Sequence, residues 1–191
     1  AGQIFEVGNT VIDNALWVQN RLIDQSDATL IPPDVHRFMK ARLPARLMLV
    51  TAHRRENWGQ PIRLIASAVG VLLQMHSDLI VVWPMHPNPA VREDIQAALS
   101  ELPPDSRSRL CLTEPLEYPA LISLLSHCHF TLTDSGGIQE EASALRRPVL
   151  ITRDNTERQE LVDAGGALLV GTDPHTIVKQ ASLLLQDQAV Y

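Results

Sequence analysis

From residue 46 onward, short apolar runs alternate with longer amphipathic stretches. Arg46–Thr51 (RLMLVT) has the length and composition of a strand buried on both faces. After a polar loop, Ile62–Met75 carries apolar residues at Ile62, Ile65, Val69, Leu72 and Leu73, the spacing of one helix face. The alternation then repeats. Strands are predicted at Leu79–Trp83, Arg109–Leu112, Phe130–Thr133, Pro148–Ile151 and Ala167–Val170. Helices are predicted at Ala90–Leu99, Tyr118–Ser126, Ile138–Leu145, Glu157–Ala164 and Pro174–Leu185. The segment holding Pro103 and Pro104 reads as a loop.

Strands alternating with helices across short connections imply βαβ units and a parallel sheet. Right-handed crossovers then place helices on both faces, so the predicted fold class is α/β, a Rossmann-like doubly wound parallel sheet. Ligands of such sheets gather outside the carboxyl ends of the strands. Attention therefore falls on the loops after residues 51, 84, 112, 133, 151 and 170. The first 45 residues differ in pattern. Ile4–Val7 is compatible with a strand, and a helix from Gly8-Asn9-Thr10 to about Leu22 is expected, capped by Asn9 or Thr10. Gln25–Pro33 then breaks the pattern. Residues 1–45 are thus read as a lead-in between domains (strand, helix and Pro-containing linker) and 46–191 as the Rossmann-like domain.

Composition narrows the function classes. The 191 residues are 45% hydrophobic and 20% charged, in keeping with one substantial globular domain. Sixteen Lys and Arg against 22 Asp and Glu give a net charge of −6. That balance argues against nucleic acid or an anionic membrane as partner, since both call for a basic face. No apolar run reaches the roughly 18 residues of a membrane span, nothing at the N-terminus reads as a signal peptide, and a cytoplasmic location is expected. Cys111 and Cys128 lie in apolar stretches and are expected to be buried free thiols.

Four segments at predicted strand ends can carry chemistry. In TLTDSGGIQEEA (131–142) a strand ends in Asp-Ser-Gly-Gly and a helix begins at once. Glycines admit close backbone approach, and the free N–H groups of a helix start attract anions. Ser135 adds a hydroxyl, and Glu140 and Glu141 lie about one turn further on, where a carboxylate can accept from two ribose hydroxyls. The segment reads as a nucleoside-diphosphate cradle or as a tight strand-to-helix turn with acidic residues near its start. It is neither GxGxxG nor a P-loop. His53-Arg54-Arg55-Glu56-Asn57 follows the first strand and suits phosphate or sugar contacts, or is a solvated charged loop. Pro84-Met85-His86-Pro87-Asn88-Pro89 holds His86 in a stiff loop, as a ligand or in a structural role. Arg153-Asp154-Asn155-Thr156-Glu157-Arg158 would bring Arg158 toward the same crevice as Ser135, or is a helix-capping segment with solvated arginines. His127 and His129 flank Cys128, but alternate residues of an extended segment point apart, so no metal site is expected.

Taken in order, these motifs resemble the non-hydrolysing UDP-N-acetylglucosamine 2-epimerase family. The resemblance runs through G-N-T-V-I-D at 8–13, H-R-R-E-N at 53–57, P-x-H-x-N-P at 84–89 and V-R-E at 91–93. It continues through D-S-G-G-I-Q-E-E at 134–141, P-V-L at 148–150, R-D-x-T-E-R at 153–158 and L-V-G-T-D at 169–173. It implies half of a two-domain, GT-B-like architecture, with 46–191 as the UDP-binding domain. It also implies interconversion of UDP-GlcNAc and UDP-ManNAc through UDP elimination and re-addition, without metal or other cofactor.

On the family pattern Ser135, Gly136 and Gly137 would hold the diphosphate and Glu141 the ribose. Arg158 and His53 would meet the UDP portion, with His53 as the catalytic candidate beside the departing phosphate. Arg54 and His86 match positions that bind a second UDP-GlcNAc as effector. Ala52, Leu116 and Leu121 depart from the usual Gly, Gln and Phe. The resemblance further implies catalytic acids on an N-terminal domain absent from this sequence, an inactive isolated piece, and a homodimeric full-length protein. A hydrolysing 2-epimerase, the donor domain of a GT-B glycosyltransferase, and a non-enzymatic nucleotide-sugar sensor remain as alternatives.

Overall fold

The computed structural model describes residues 2, 3, 5, 7–22 and 30–191. Six parallel strands form one sheet: β1 (Arg46–Thr51), β2 (Leu79–Pro84), β3 (Leu110–Thr113), β4 (Phe130–Thr133), β5 (Val149–Ile151) and β6 (Ala167–Leu169). Their spatial order is β3-β2-β1-β4-β5-β6. The chain builds outward from β1 to β3, returns to the other side of β1, and builds outward again. β1 and β4 therefore flank the topological switch point, where the loops leaving them diverge and open a crevice. They pair in parallel with Thr51 opposite Thr133.

The described helices are α1 (Thr10–Leu22), α2 (Pro33–Lys40), α3 (Gln60–Met75), α4 (Pro89–Ala98), α5 (Pro104–Ser108), α6 (Tyr118–His127), α7 (Gly136–Ala144), α8 (Gln159–Asp163) and α9 (Pro174–Gln186). Strand alternation sorts the core into two layers. Met48 and Val50 of β1 pack with Ile62, Ile65, Val69 and Leu72 of α3 and Ile177 and Ala181 of α9. Leu47 and Leu49 face the opposite way, toward Ala15 and Val18 of α1, Val35 of α2, Ile122 of α6 and Ala142 of α7. Both faces being covered is what a parallel sheet requires, and it explains the uninterrupted apolar runs in the sequence.

The doubly wound α/β fold is as the alternation predicts, with two helices that the pattern does not. Pro33–Lys40 and Pro104–Ser108 are helical where a linker and a loop are expected. In each, a second proline follows a first and starts the helix, where a missing N–H costs nothing. The strand expected at Ile4–Val7 and the break from Gln25 fall partly outside the described residues. The helix expected from Asn9 is present, and the Asn9 side chain accepts from Val11 N–H at 2.9 Å. Cys128 is buried, its thiol pushed up to about 12 by desolvation. Cys111 is only half-buried, because β3 is the edge strand. Among the described residues no helix is long and apolar enough to cross a membrane.

Candidate functional site

The crevice is built where β1 and β4 end together. Thr51 and Thr133, paired across the strands, share a buried hydroxyl–hydroxyl bond of 2.6 Å. The Thr133 hydroxyl also accepts from Ser135 N–H at 3.0 Å, turning the chain out of the strand and into α7. Between them lies Asp134, with no exposed surface. Its carboxylate draws the β1–α3 loop down onto the end of β4. It accepts from the backbone N–H of His53 (3.0 and 3.1 Å), the backbone N–H of Arg54 (2.9 Å), the Asn57 amide (2.9 Å) and the His53 ring Nδ1 (3.0 Å). Burial pushes the Asp134 carboxyl up, but the bonds from His53, Arg54 and Asn57 outweigh it and hold the group below its ordinary value. Asn57 is buried too, and its amide reaches the Thr152 carbonyl at 3.2 Å, tying the loop to the end of β5. The H-R-R-E-N segment is thus anchored, not a freely solvated charged loop.

Next to this anchor stands the N-terminus of α7. Ser135 caps it weakly, its Oγ accepting from Ile138 N–H at 3.5 Å, long for such a bond. Gly136 and Gly137 supply the next first-turn N–H groups, which a helix leaves without internal partners. A Cβ at Gly136 would lie 3.9 Å from Nη2 of Arg54, so a guanidinium already stands over this end of the helix. A Cβ at Gly137 would meet nothing within 4 Å, so that side of the turn is open. Side chains four apart share a helix face and lean toward its N-terminus. Glu140 therefore lies on the face of Gly136, and Glu141 on that of Gly137. Over the five steps from Gly136 to Glu141 the helix rises about 7.5 Å, a span suited to a diphosphate at one end and a ribose at the other.

The two glutamates are placed differently. Glu140 is paired with the Arg158 guanidinium, which brings Arg158 to α7 about one turn beyond Ser135. Glu141 is nearly buried and bonded to Tyr118, whose hydroxyl is also bonded to Asn14 of α1. Burial, with help from the Glu140 charge, raises the Glu141 carboxyl despite the Tyr118 bond. Gln139 and Thr156 fasten α7 to the segment before α8 at 2.6 Å.

The arginines of R-D-N-T-E-R are both ion-paired, whereas the capping reading expected them freely solvated. Arg153 is buried and bonds Glu56 at 2.9 Å and Glu157 at 2.8 Å. Held mainly by Arg153, Glu157 falls to about 2. Nor does the segment cap α8 through Asn155 or Thr156, since that helix starts at Gln159 after Arg158.

His53 and Arg54 thus stand at the start of α7 near Gly136, while further along that helix Glu140 meets Arg158 and Glu141 meets Tyr118. His86 sits on the neighbouring β2–α4 loop, its ring 5.5 Å from that of Trp58 and its Nδ1 accepting from Asn88 N–H. Trp58 in turn donates to the His53 carbonyl at 3.4 Å, so His86 and the His53–Arg54 loop are joined through Trp58. Sequence reasoning missed Asp134, Asn57 and Tyr118 as site residues. Asp134 carried one available signal, an acidic residue directly behind an apolar strand and directly before Ser-Gly-Gly. Among the described residues no group of three His, Cys, Asp or Glu could hold a metal. A cavity of about 390 Å³ lies elsewhere, between Val149, Gly166 and Tyr191 at the amino ends of β5 and β6.

Comparison with known proteins bears on this arrangement. The family model described as UDP-N-acetylglucosamine 2-epimerase matches residues 1–191. The UDP-N-acetylglucosamine 2-epimerase of Yersinia pestis is 39% identical across 99% of the chain and 48% of its own length. The crystal structure of UDP-GlcNAc 2-epimerase from Neisseria meningitidis bound to UDP-GlcNAc superposes with a TM-score of 0.81. It is 36% identical and covers 96% of this chain and 47% of that one. A UDP complex from S. aureus gives a TM-score of 0.82 at 37% identity, covering 96% of this chain and 46% of that one. The chain spans about half the length of the curated relatives it matches. It belongs to the UDP-N-acetylglucosamine 2-epimerase family.

Proposed function

We propose that the crevice between β1 and β4 binds the UDP portion of UDP-GlcNAc and UDP-ManNAc, and that the chain is the nucleotide-binding half of a UDP-GlcNAc 2-epimerase. The observation that carries this reading is the start of α7. An open, weakly capped helix N-terminus lies under one arginine, and a carboxylate sits on the face of the open Gly137. The N–H groups of Gly136 and Gly137 and the Ser135 hydroxyl suit the diphosphate, with Arg158 beside them. Glu141 suits the vicinal ribose hydroxyls, which would compete with Tyr118 for its oxygens.

In the proposed reaction the C2 proton is taken and the anomeric C–O bond breaks, its electron pair leaving on UDP, which gives a glucal intermediate. UDP then re-adds at C1 while a proton returns to the opposite face of C2, and this yields the epimer. Phosphate charge builds as UDP departs, and His53 is the group that stabilises it or carries a proton to it. The acids that take and return the C2 proton belong to the rest of the full-length protein. That protein is proposed to work without metal or other cofactor, as a cytoplasmic homodimer. Arg54 and His86 are the proposed contacts for a second, effector UDP-GlcNAc.

Calorimetric titration of UDP into the 191-residue chain tests the binding. Weak saturable binding is expected, with no conversion of UDP-GlcNAc followed by proton NMR. No heat change at millimolar UDP would remove the nucleotide assignment, and turnover would remove the claim that this half is inactive alone.

A further inference from the structure

We infer that Asp134 is a positioning residue that holds His53 in its Nδ1–H tautomer and so reserves Nε2 for the phosphate of the bound nucleotide. The phosphate half of this inference rests on the function proposed above; the tautomer half does not.

Asp134 is the first residue beyond β4, is wholly buried, and uses both oxygens. Oδ1 faces the His53 ring Nδ1 at 3.0 Å and the His53 backbone N–H at 3.1 Å. Oδ2 receives the Arg54 backbone N–H and the Asn57 amide, each at 2.9 Å, with the His53 N–H at 3.0 Å. An ionised carboxylate only accepts. The ring nitrogen facing it must therefore carry the proton, and in a neutral imidazole the other nitrogen then carries the lone pair. The side chain is 48% exposed, so the ring's far edge is accessible while its near edge is fixed. A lone pair on Nε2 can take a proton, and the resulting N–H can donate to a phosphate oxygen.

Other charges nearby are committed elsewhere. Arg153 pairs with Glu56 and Glu157, and Arg54 lies 3.8 Å from Glu157. Among the described residues Asp134 is the carboxylate His53 pairs with.

The arrangement makes a specific prediction for Asp134→Asn. Two donors, Arg54 N–H and Asn57 Nδ2, meet at the Oδ2 side, so the asparagine carbonyl must stay there. Its NH2 then faces His53 Nδ1, which has to become an acceptor, and the proton moves to Nε2. A His–Asp pair in serine proteases responds to the same change in this way, with geometry kept and tautomer reversed.

The test is long-range ¹H–¹⁵N correlation on the 191-residue chain labelled at histidine nitrogen, at a pH where the ring is neutral. His53→Gln identifies the His53 signals among the seven histidines. The wild-type chain is expected to show Nδ1–H and the Asp134→Asn chain Nε2–H. An Nε2–H ring in the wild-type chain overturns the proposal, whether or not the variant folds. A folded variant that keeps Nδ1–H also overturns it. In parallel, ³¹P shifts of titrated UDP should show affinity falling about five-fold in the variant, because its neutral Nε2–H still donates to phosphate but lacks the positive charge that the Asp134 carboxylate supports on the ring. Unchanged affinity in a tautomer-reversed variant would overturn the phosphate half. Absence of UDP binding to the wild-type chain would overturn the nucleotide assignment, which the tautomer reading is independent of.

Discussion

Two helices of this protein begin at carboxyl ends of the same sheet and treat their N-termini in opposite ways. α9, after β6, is capped by Asp173, whose carboxylate takes the Thr176 N–H at 2.9 Å and the Thr176 hydroxyl at 2.7 Å. Pro174 begins the helix and has no N–H to satisfy. The positive end of the helix dipole is therefore met within the chain. α7, after β4, has a neutral serine cap with a 3.5 Å bond, two glycines, and no acidic residue in its first turn. The charge placed over it is Arg54, of the wrong sign to complement a helix start. The start of α9 supplies its own negative charge; the start of α7 leaves that place open, as the proposed binding of an anion there requires.

Making α7 resemble α9 is the strongest way to break this contrast. Ser135→Asp should raise stability by about 0.5 kcal/mol, since aspartate caps at least as well as serine and complements the dipole. On the proposed reading the same carboxylate stands against the diphosphate, at a cost of roughly 3 kcal/mol for like charges about 5 Å apart. UDP affinity should fall about 100-fold or more while urea unfolding shows a protein no weaker than wild type. Retained affinity would mean that the diphosphate lies somewhere other than the start of α7.

Further along the same helix, Glu141→Ala probes the proposed sugar end of the site. Loss of a carboxylate acceptor should weaken UDP by about 1–3 kcal/mol, and weaken inorganic pyrophosphate much less. Equal losses for both ligands would show that Glu141 acts on the helix and not on ribose. The converse change at α9 is milder. Asp173→Ala should lower Tm by roughly 2–4 °C, the effect of one lost cap in a domain of this size, and leave UDP affinity alone. A drop in UDP affinity there would join the two helix starts into one site.

How much of this was legible in the sequence depends on how local each feature is. Arg46–Thr51 and Phe130–Thr133 are strands with the boundaries their apolar runs indicate, because strands buried on both faces must be apolar throughout. Pro33–Lys40 and Pro104–Ser108 were hidden for one shared reason. Paired prolines followed by aspartate look like breaks, yet the second proline and the acid are helix-start residues. Ser135, Gly136 and Gly137 could be read because their chemistry lies in consecutive residues. Asp134 could not be assigned its role, because its partners His53 and Asn57 are 81 and 77 residues away. They become neighbours only when β4 returns beside β1. Tyr118 was hidden likewise, since it meets Glu141 from α6.

The β4–α7 turn and α7 hold a pair of buried carboxylates that answer pH in opposite directions, and this yields the smallest effect. Asp134 lies below its ordinary value, so between the two values the unfolded chain binds more protons and stability rises with pH. Its contribution is present above about pH 4 and is lost as pH falls through the folded value. Glu141 lies above its ordinary value, chiefly through burial, so the folded chain binds more protons there. Its contribution is present below about pH 4 and is lost as pH rises through the raised value. Glu141→Gln keeps the shape and removes the titration. Measured by urea unfolding between about pH 4 and 7, the variant should gain on wild type as pH rises and then level off. Parallel curves would mean that Tyr118 and solvent hold the Glu141 carboxylate as comfortably as water does, leaving its oxygens no more available to ribose than those of any surface acid.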